Sequence, residues 1–117
     1  MDKLDIQLFK IMYLLVHCDM DFSEEESELI EQFKNNLTDE ELAQANEATQ
    51  ALQPIIDSGF SAIKIETVKI AEELAPFIQD SNIKESSLRI MESVVMADNL
   101  EHPNEKELMD DLKQAWA

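Results

Sequence analysis

Glycine, proline and aromatic residues are scarce in this sequence. Its 117 residues include one glycine, three prolines, one tryptophan, one tyrosine and five phenylalanines. Tight turns depend on glycine and proline, and strands favour aromatic and β-branched side chains. Little of the chain is therefore suited to hairpins and sheets. Long stretches rich in Leu, Ile, Glu, Ala, Lys and Met remain, and this composition predicts an all-α fold.

Basic residues are few as well. Nine lysines and arginines stand against 26 aspartates and glutamates, so the formal net charge is −17. Binding to a nucleic-acid backbone or to an anionic membrane needs a basic surface, so we expect neither. The charge favours a protein partner with a basic surface, or divalent cations. Hydrophobic residues make up 44% of the chain, which is too many for a disordered protein.

The chain has a single cysteine, Cys18, so an internal disulfide and a paired-cysteine metal site are both excluded. The first residues, MDKLDIQ, are acidic where a secretory signal peptide is basic. The longest apolar run, 11–16, is too short to span a bilayer. We therefore predict a cytoplasmic protein without membrane insertion.

Apolar residues recur at helical spacing in six segments of the chain. The predicted helices cover about 3–18, Ser23 to Asn35, Thr38 to Pro54, Phe60 to Phe77, about 83–98 and His102 to Trp116, with a turn at 80–82. The pairs Ser23 with Glu26 and Thr38 with Glu41 have the spacing of capping boxes at helix starts. Pro54 is expected to bend or end the third helix. No linker divides the chain, so we predict one domain over residues 1–117.

The two ends of the chain carry an internal repeat. LLVHCDMDFSEEESEL (14–29) aligns without gaps with SVVMADNLEHPNEKEL (93–108), at an offset of 79 residues. Each unit has an apolar helix, a small residue, an aspartate, a short loop and a helix with an acidic first turn. The aligned pairs include Asp19 with Asp98, Glu26 with Glu105, Glu28 with Glu107 and Leu29 with Leu108. The repeat predicts two similar helix-loop-helix hairpins packed with two middle helices.

The stretches CDMDFSEEE and ADNLEHPNE resemble the motif A-D-G-x-[IVF]-x-x-x-E of TerB-like domains, a family of the tellurite-resistance group. The resemblance covers about 8–34 and 86–114. Both copies depart from the motif, because Met20 and Asn99 stand at its glycine and Glu101 replaces the apolar residue that Phe22 retains. The resemblance implies one TerB-like domain of paired helical hairpins. It also implies a function in metal stress or as a protein scaffold rather than in catalysis.

Two sets of carboxylates, one at each loop, are candidate oxygen ligands for Ca²⁺, Mg²⁺ or Mn²⁺. They are Asp19, Asp21 and Glu25 or Glu26 at the first loop, and Asp98, Glu101 and Glu105 at the second. A standard EF-hand is excluded, because the first loop lacks the glycine and the glutamate needed at the sixth and twelfth positions. The alternative is structural: the aspartates bind loop amides, and the glutamates only favour helix starts.

Residue patterns typical of enzymes are missing. The two histidines form no recognisable pairing with a nucleophile, and one glycine is too few for a phosphate-binding loop. Three consecutive residues, His17, Cys18 and Asp19, have side chains of the kinds that bind zinc. Consecutive helical residues point about 100° apart, however, and do not readily share one metal ion. We therefore predict a core Cys18, a surface His17 and no enzymatic activity.

The charge, the repeat and the resemblance together predict a non-enzymatic helical interaction or scaffold module. We expect it to present an acidic face to a basic protein partner, tuned by divalent cations, in a tellurite or metal-stress response. The alternative is a stress protein in which divalent-cation binding is itself the function. The sequence leaves open whether the chain forms a homodimer.

Overall fold

The computed structural model describes residues 3–18, 24–95 and 103–117, and within them the fold is helical. The elements are α1 (Lys3–His17), α2 (Glu24–Asn35), α3 (Asp39–Asp57), α4 (Phe60–Leu74), α5 (Ser81–Val95) and α6 (Pro103–Ala115), with a 3₁₀ turn at Ala75–Phe77. These three ranges contain no strand, and the prediction of an all-α fold of about six helices is confirmed. None of their helices combines the length and the apolar character needed to cross a membrane.

Helix α1 lies at the centre of the fold, because apolar residues occupy most of its circumference. It packs against α3, α4 and α5, and α6 packs on α4 and α5. Its buried apolar side chains are Phe9, Ile11, Met12, Leu14, Leu15 and Val16. The other helices are amphipathic, and each turns its apolar side toward this central helix or toward a neighbour.

The start of α3 and the start of α4 follow local rules of helix capping. The Thr38 hydroxyl accepts a hydrogen bond from the Glu41 amide at 3.2 Å, and the Thr38 amide donates to Glu41 Oε1 at 3.0 Å. This confirms the predicted capping box. Gly59 separates α3 from α4 with φ of +102°, a backbone conformation that side chains disfavour.

Three helix ends differ from the prediction. Helix α3 continues past Pro54 to Asp57, so this exposed proline lies in the last turn, where its missing backbone donor and any bend that it causes affect only the end of the helix. Helix α4 ends at Leu74, and the 3₁₀ turn that follows leaves Phe77 exposed rather than in the core. Helix α5 begins at Ser81, because the Asp80 carboxylate accepts a hydrogen bond from the Asn82 amide at 2.8 Å.

Helix α6 packs on α4, and two polar contacts, one buried and one exposed, accompany this packing. The indole Nε1 of Trp116 donates a hydrogen bond to the Ala71 carbonyl at 2.9 Å, and the ring is buried. On the surface, the Lys64 ammonium lies between the carboxylates of Glu107 and Asp111. Of these two polar contacts, the buried one is expected to stabilise the fold more, because exposed ion pairs contribute little.

The capping box predicts how stability depends on pH. Hydrogen bonds from Thr38, first from its backbone and then from its side chain, hold the pKa of Glu41 below its ordinary value. A lowered pKa in the folded state stabilises the fold above the unfolded pKa, and this stabilisation is lost as the pH falls through the lowered value. We expect Glu41→Gln to lower the urea midpoint at pH 7, and the difference from wild type to shrink in acid below about pH 4.3.

Glu40→Gln is the matched control for this measurement. Glu40 lies next to Glu41 in the same exposed turn but takes no part in the capping box. Its replacement removes the same charge, so a general effect of the acidic surface affects both variants alike. Equal pH profiles of the two variants would contradict a specific role for the capping box.

Candidate interaction surface

Of the predicted cation ligands, the structure describes the side chain of Glu105 alone. Asp19, Asp21, Asp98 and Glu101 lie outside the described residues, as do the side chains of Glu25 and Glu26. Glu105 lies in the first turn of α6 and is 1% exposed. Three or more His, Cys, Asp or Glu side chains in reach of one metal ion are not found within 3–18, 24–95 and 103–117. The cation site therefore stays a prediction.

The structure joins the two helix ends from which the acidic loops extend. The Asn104 amide nitrogen Nδ2 donates a hydrogen bond to the Cys18 carbonyl at 2.9 Å. Cys18 directly follows α1, and Asn104 lies in the first turn of α6, next to the buried Glu105. A buried carboxylate persists only where polar groups replace its lost hydration. The start of α6 and the end of α1 are thus joined by a partly buried hydrogen bond, with a buried carboxylate next to it in the sequence.

Cys18, the single cysteine of the sequence, is buried, as the sequence predicts. His17, predicted to lie at the surface, is instead half-buried, because its ring lies against Tyr13 with 4.5 Å between the ring centroids. Tyr13 also stacks on Phe9. Phe9 in turn stacks on Phe33 of α2, with 5.2 Å between the ring centroids. The stacked rings of Phe9 and Phe33 are a contact between α1 and α2, and both line an open cleft.

The cleft has a volume of about 270 Å³ and lies between α1, the end of α2, the start of α3 and α5. We call it the apolar cleft. Its apolar lining includes Leu8, Phe9, Met12, Phe33, Ile90 and Met91. Phe9, Met12 and Met91 are buried and form its floor, whereas Ile90 is 49% exposed and stands at its edge. An apolar surface that the fold does not cover itself is suited to contact with another molecule.

Two carboxylates, Asp5 of α1 and Glu41 of α3, also line the apolar cleft. The bonds from Thr38 that lower the pKa of Glu41 keep this side chain ionised well below neutral pH. The cleft therefore combines an apolar floor with a negative edge, in a chain whose net charge is −17. A cleft of this kind favours a ligand that carries positively charged groups next to apolar ones.

A second cleft, of about 410 Å³, lies where the 3₁₀ turn, the start of α5 and the end of α6 meet. Its lining contains both an acidic and a basic side chain, Glu72 and Lys84, together with Gln79 and the edge of Trp116. Because its lining carries both charges, the second cleft favours neither an acidic nor a basic partner. The apolar cleft is therefore the stronger candidate for a functional surface.

A scan against protein-family models finds no match to this chain, and searches of curated proteins and of solved structures find no similar protein either. The likeness to TerB-like domains rests on the two loop motifs, and the loops themselves lie outside the described residues. Membership of that family therefore stays a prediction.

A methionine-rich set in the sequence, Met12, Met20, Met91, Met96 and Met109, predicts core filling, with an adaptable docking groove as the alternative. Met12 and Met91 are buried and line the apolar cleft. Helical spacing predicts that Leu88, Met91, Val94 and Val95 lie on the inward side of the fifth helix, and Met91, Val94 and Val95 are buried. Ile90 lies outside that inward stripe and was not singled out. A single exposed isoleucine is common on protein surfaces, and it is the apolar cleft beside Ile90 that points to a surface with a partner.

Proposed function

We propose that this chain is a non-enzymatic, acidic interaction module that binds a protein partner with a basic surface. The apolar cleft receives an apolar side chain of that partner, and the surrounding carboxylates attract its basic residues. The observation that carries this proposal is the half-exposed Ile90 at the edge of an apolar cleft, in a chain with a net charge of −17.

The size of the cleft favours a side chain of a polypeptide over a small molecule. Pockets for small ligands usually measure about 300–1,000 Å³ and contain a few convergent polar groups. At about 270 Å³ this cleft is near the lower end of that range, and its polar lining side chains are two carboxylates, those of Asp5 and Glu41. Single anchor side chains that fill such clefts carry much of the binding energy in protein interfaces.

The net charge favours a basic partner over a second copy of this chain. Two copies bring −17 each, and like charges of this size oppose association at low ionic strength. A partner rich in lysine or arginine is instead attracted before contact, which speeds association. By its resemblance to TerB-like domains, we place this interaction in a tellurite or metal-stress response.

Binding of a divalent cation is the second candidate function. It is favoured by the hydrogen bond between Asn104 and Cys18, since this bond brings together the helix ends that lead into both acidic loops. The burial of Glu105 beside it adds a carboxylate to the same junction. Cation binding at this junction would either be the function of the protein itself or regulate its binding to the protein partner.

Ile90→Ser tests the interaction module. The probe is a fluorescent amphipathic peptide of about 18 residues with leucines at helical spacing and lysines elsewhere. We expect the variant to weaken peptide binding about tenfold in fluorescence anisotropy, because an anchor contact of this kind contributes roughly 1–2 kcal/mol. Serine leaves the net charge unchanged, so the loss reports the apolar contact alone.

Ile65→Ser is the matched control, because Ile65 is 70% exposed on α4 and does not line the cleft. We expect its affinity to equal that of wild type. We also expect weaker binding by all proteins at high salt, which screens the carboxylates. An affinity that is the same in Ile90→Ser, Ile65→Ser and wild type would refute binding at the apolar cleft.

A further inference from the structure

Aromatic rings and thioethers line the apolar cleft together with aliphatic side chains. Phe9 and Phe33 both line it, and their rings are stacked, with 5.2 Å between the centroids and 26° between the planes. Met12 and Met91 are the two methionines of the lining. Phe9, Met12 and Met91 are buried, whereas Phe33 is only partly buried. The ring of Phe33 is therefore the aromatic surface that a ligand in the cleft reaches most easily.

This lining favours an aromatic ligand group over an aliphatic one of the same size. Aromatic rings attract one another in offset-stacked or edge-to-face arrangements, and this attraction adds to the gain from burial. Methionine sulfur also makes favourable contacts with aromatic rings, and the flexible side chain adapts to the shape of the group beside it. An aliphatic side chain in the same cleft gains from burial alone, because it has no ring to take part in these contacts.

The charges of the lining define what lies next to the ligand group. Among the described residues that line the cleft, Asp5 and Glu41 carry carboxylates and none is a lysine or an arginine. A segment with a basic residue beside its anchor is attracted to these carboxylates, whereas an acidic segment is repelled. The charge of the lining thus complements a basic neighbour of the anchor.

We propose that the anchor that fills the apolar cleft is an aromatic side chain of the partner, with lysine or arginine beside it in the sequence. This inference rests on the proposed function and adds the chemical class of the anchor. The ring of the anchor packs against Phe33, Met12 and Met91. Its basic neighbour lies near the carboxylates of Asp5 and Glu41.

Two fluorescent peptides that differ in one side chain test this inference. Both are rich in lysine and have one apolar residue at the centre, which is phenylalanine in the first and cyclohexylalanine in the second. Cyclohexylalanine has nearly the shape of phenylalanine and is more hydrophobic, so burial alone predicts that it binds at least as tightly. In fluorescence anisotropy at low ionic strength, we expect wild type to bind the phenylalanine peptide about fivefold more tightly, because only this peptide has a ring that contacts the lining.

The variant Phe33→Leu removes the accessible ring and keeps the cleft apolar, so we expect it to bind the two peptides equally. Phe60→Leu is the matched control, because Phe60 is also partly buried but does not line the cleft. We expect this control to keep the preference for phenylalanine. Far-UV circular dichroism checks the helical content of both variants. The comparison of the two peptides on wild type needs no variant, so it tests the inference even if Phe33→Leu does not fold.

The outcomes separate the aromatic anchor from the proposed function. If the cyclohexylalanine peptide binds wild type as tightly as the phenylalanine peptide and Ile90→Ser weakens the binding of both, the interaction module stands and the aromatic anchor is wrong. A preference for phenylalanine that persists in folded Phe33→Leu would also overturn the inference, because the contact would then lie elsewhere. If neither peptide binds, or if Ile90→Ser leaves both affinities unchanged, both proposals are wrong.

Discussion

Replacing Trp116 by alanine lowers the free energy of unfolding by about 3–5 kcal/mol. The indole ring is buried at the end of α6, and its Nε1 donates to the Ala71 carbonyl of α4 at 2.9 Å. Alanine leaves a large cavity between two helices and removes a buried hydrogen bond. Domains of this size are stable by only about 5–15 kcal/mol, so the variant loses a large part of its stability.

The measurement is urea unfolding followed by far-UV circular dichroism, since Trp116 is the only tryptophan and fluorescence would be lost with it. Trp116→Phe keeps an aromatic ring in the core but lacks the donor, and we expect an intermediate loss. Ile65→Ser serves as the surface control, with a change within about 0.5 kcal/mol. A loss below about 1 kcal/mol in Trp116→Ala would contradict the role of this residue as the main anchor of α6.

If the protein binds divalent cations, we expect Ca²⁺ to have the second large effect on the stability of the fold. At a hundredfold excess over the dissociation constant, a cation bound only by the folded state adds about 2.7 kcal/mol of stability. The thermal midpoint of wild type should then rise in millimolar Ca²⁺. The rise should be absent in Asp19→Ala and in Asp98→Ala, because each removes a predicted ligand.

Screening must be separated from binding in this experiment, because any salt relieves repulsion in a chain of charge −17. Each melt is therefore compared with NaCl at the same ionic strength. Asp57→Ala is the control variant, since it removes an exposed carboxylate at the end of α3, far along the chain from both loops. If Asp19→Ala and Asp98→Ala each lose on the order of 1 kcal/mol and Ca²⁺ has no specific effect, the aspartates are structural.

Much of the fold could be predicted because the signals that start a helix are local. The capping box at Thr38 and Glu41 and the proline that opens α6 at Pro103 each depend on a few adjacent residues. The predicted helix ends differ from the observed ones where the effect of a single residue competed with that of the residues around it. Pro54 is tolerated because it falls in the last turn of α3, and Phe77 is exposed because α4 ends before it.

The candidate surface could not be predicted, because it depends on which helix faces the fold leaves uncovered. Ile11 and Ile90 lie 79 residues apart, at the offset of the repeat, and each is followed by a methionine. The first isoleucine is fully buried and the second is half exposed. Two residues of identical type thus differ in exposure, because α1 is surrounded by other helices and this side of α5 is not. The cation site is a different case, since most of its predicted ligands lie outside the described residues.

The central position of α1 has a consequence for synthesis on the ribosome. Its apolar side chains are covered by α3, α4 and α5, and the last of these is completed about 80 residues after α1. At roughly 5–20 residues per second, α1 has to wait several seconds for its neighbours. During that time a nascent helix carrying Phe9, Ile11 and Leu14 is exposed to aggregation. We therefore expect the nascent chain to engage general chaperones until α5 leaves the exit tunnel.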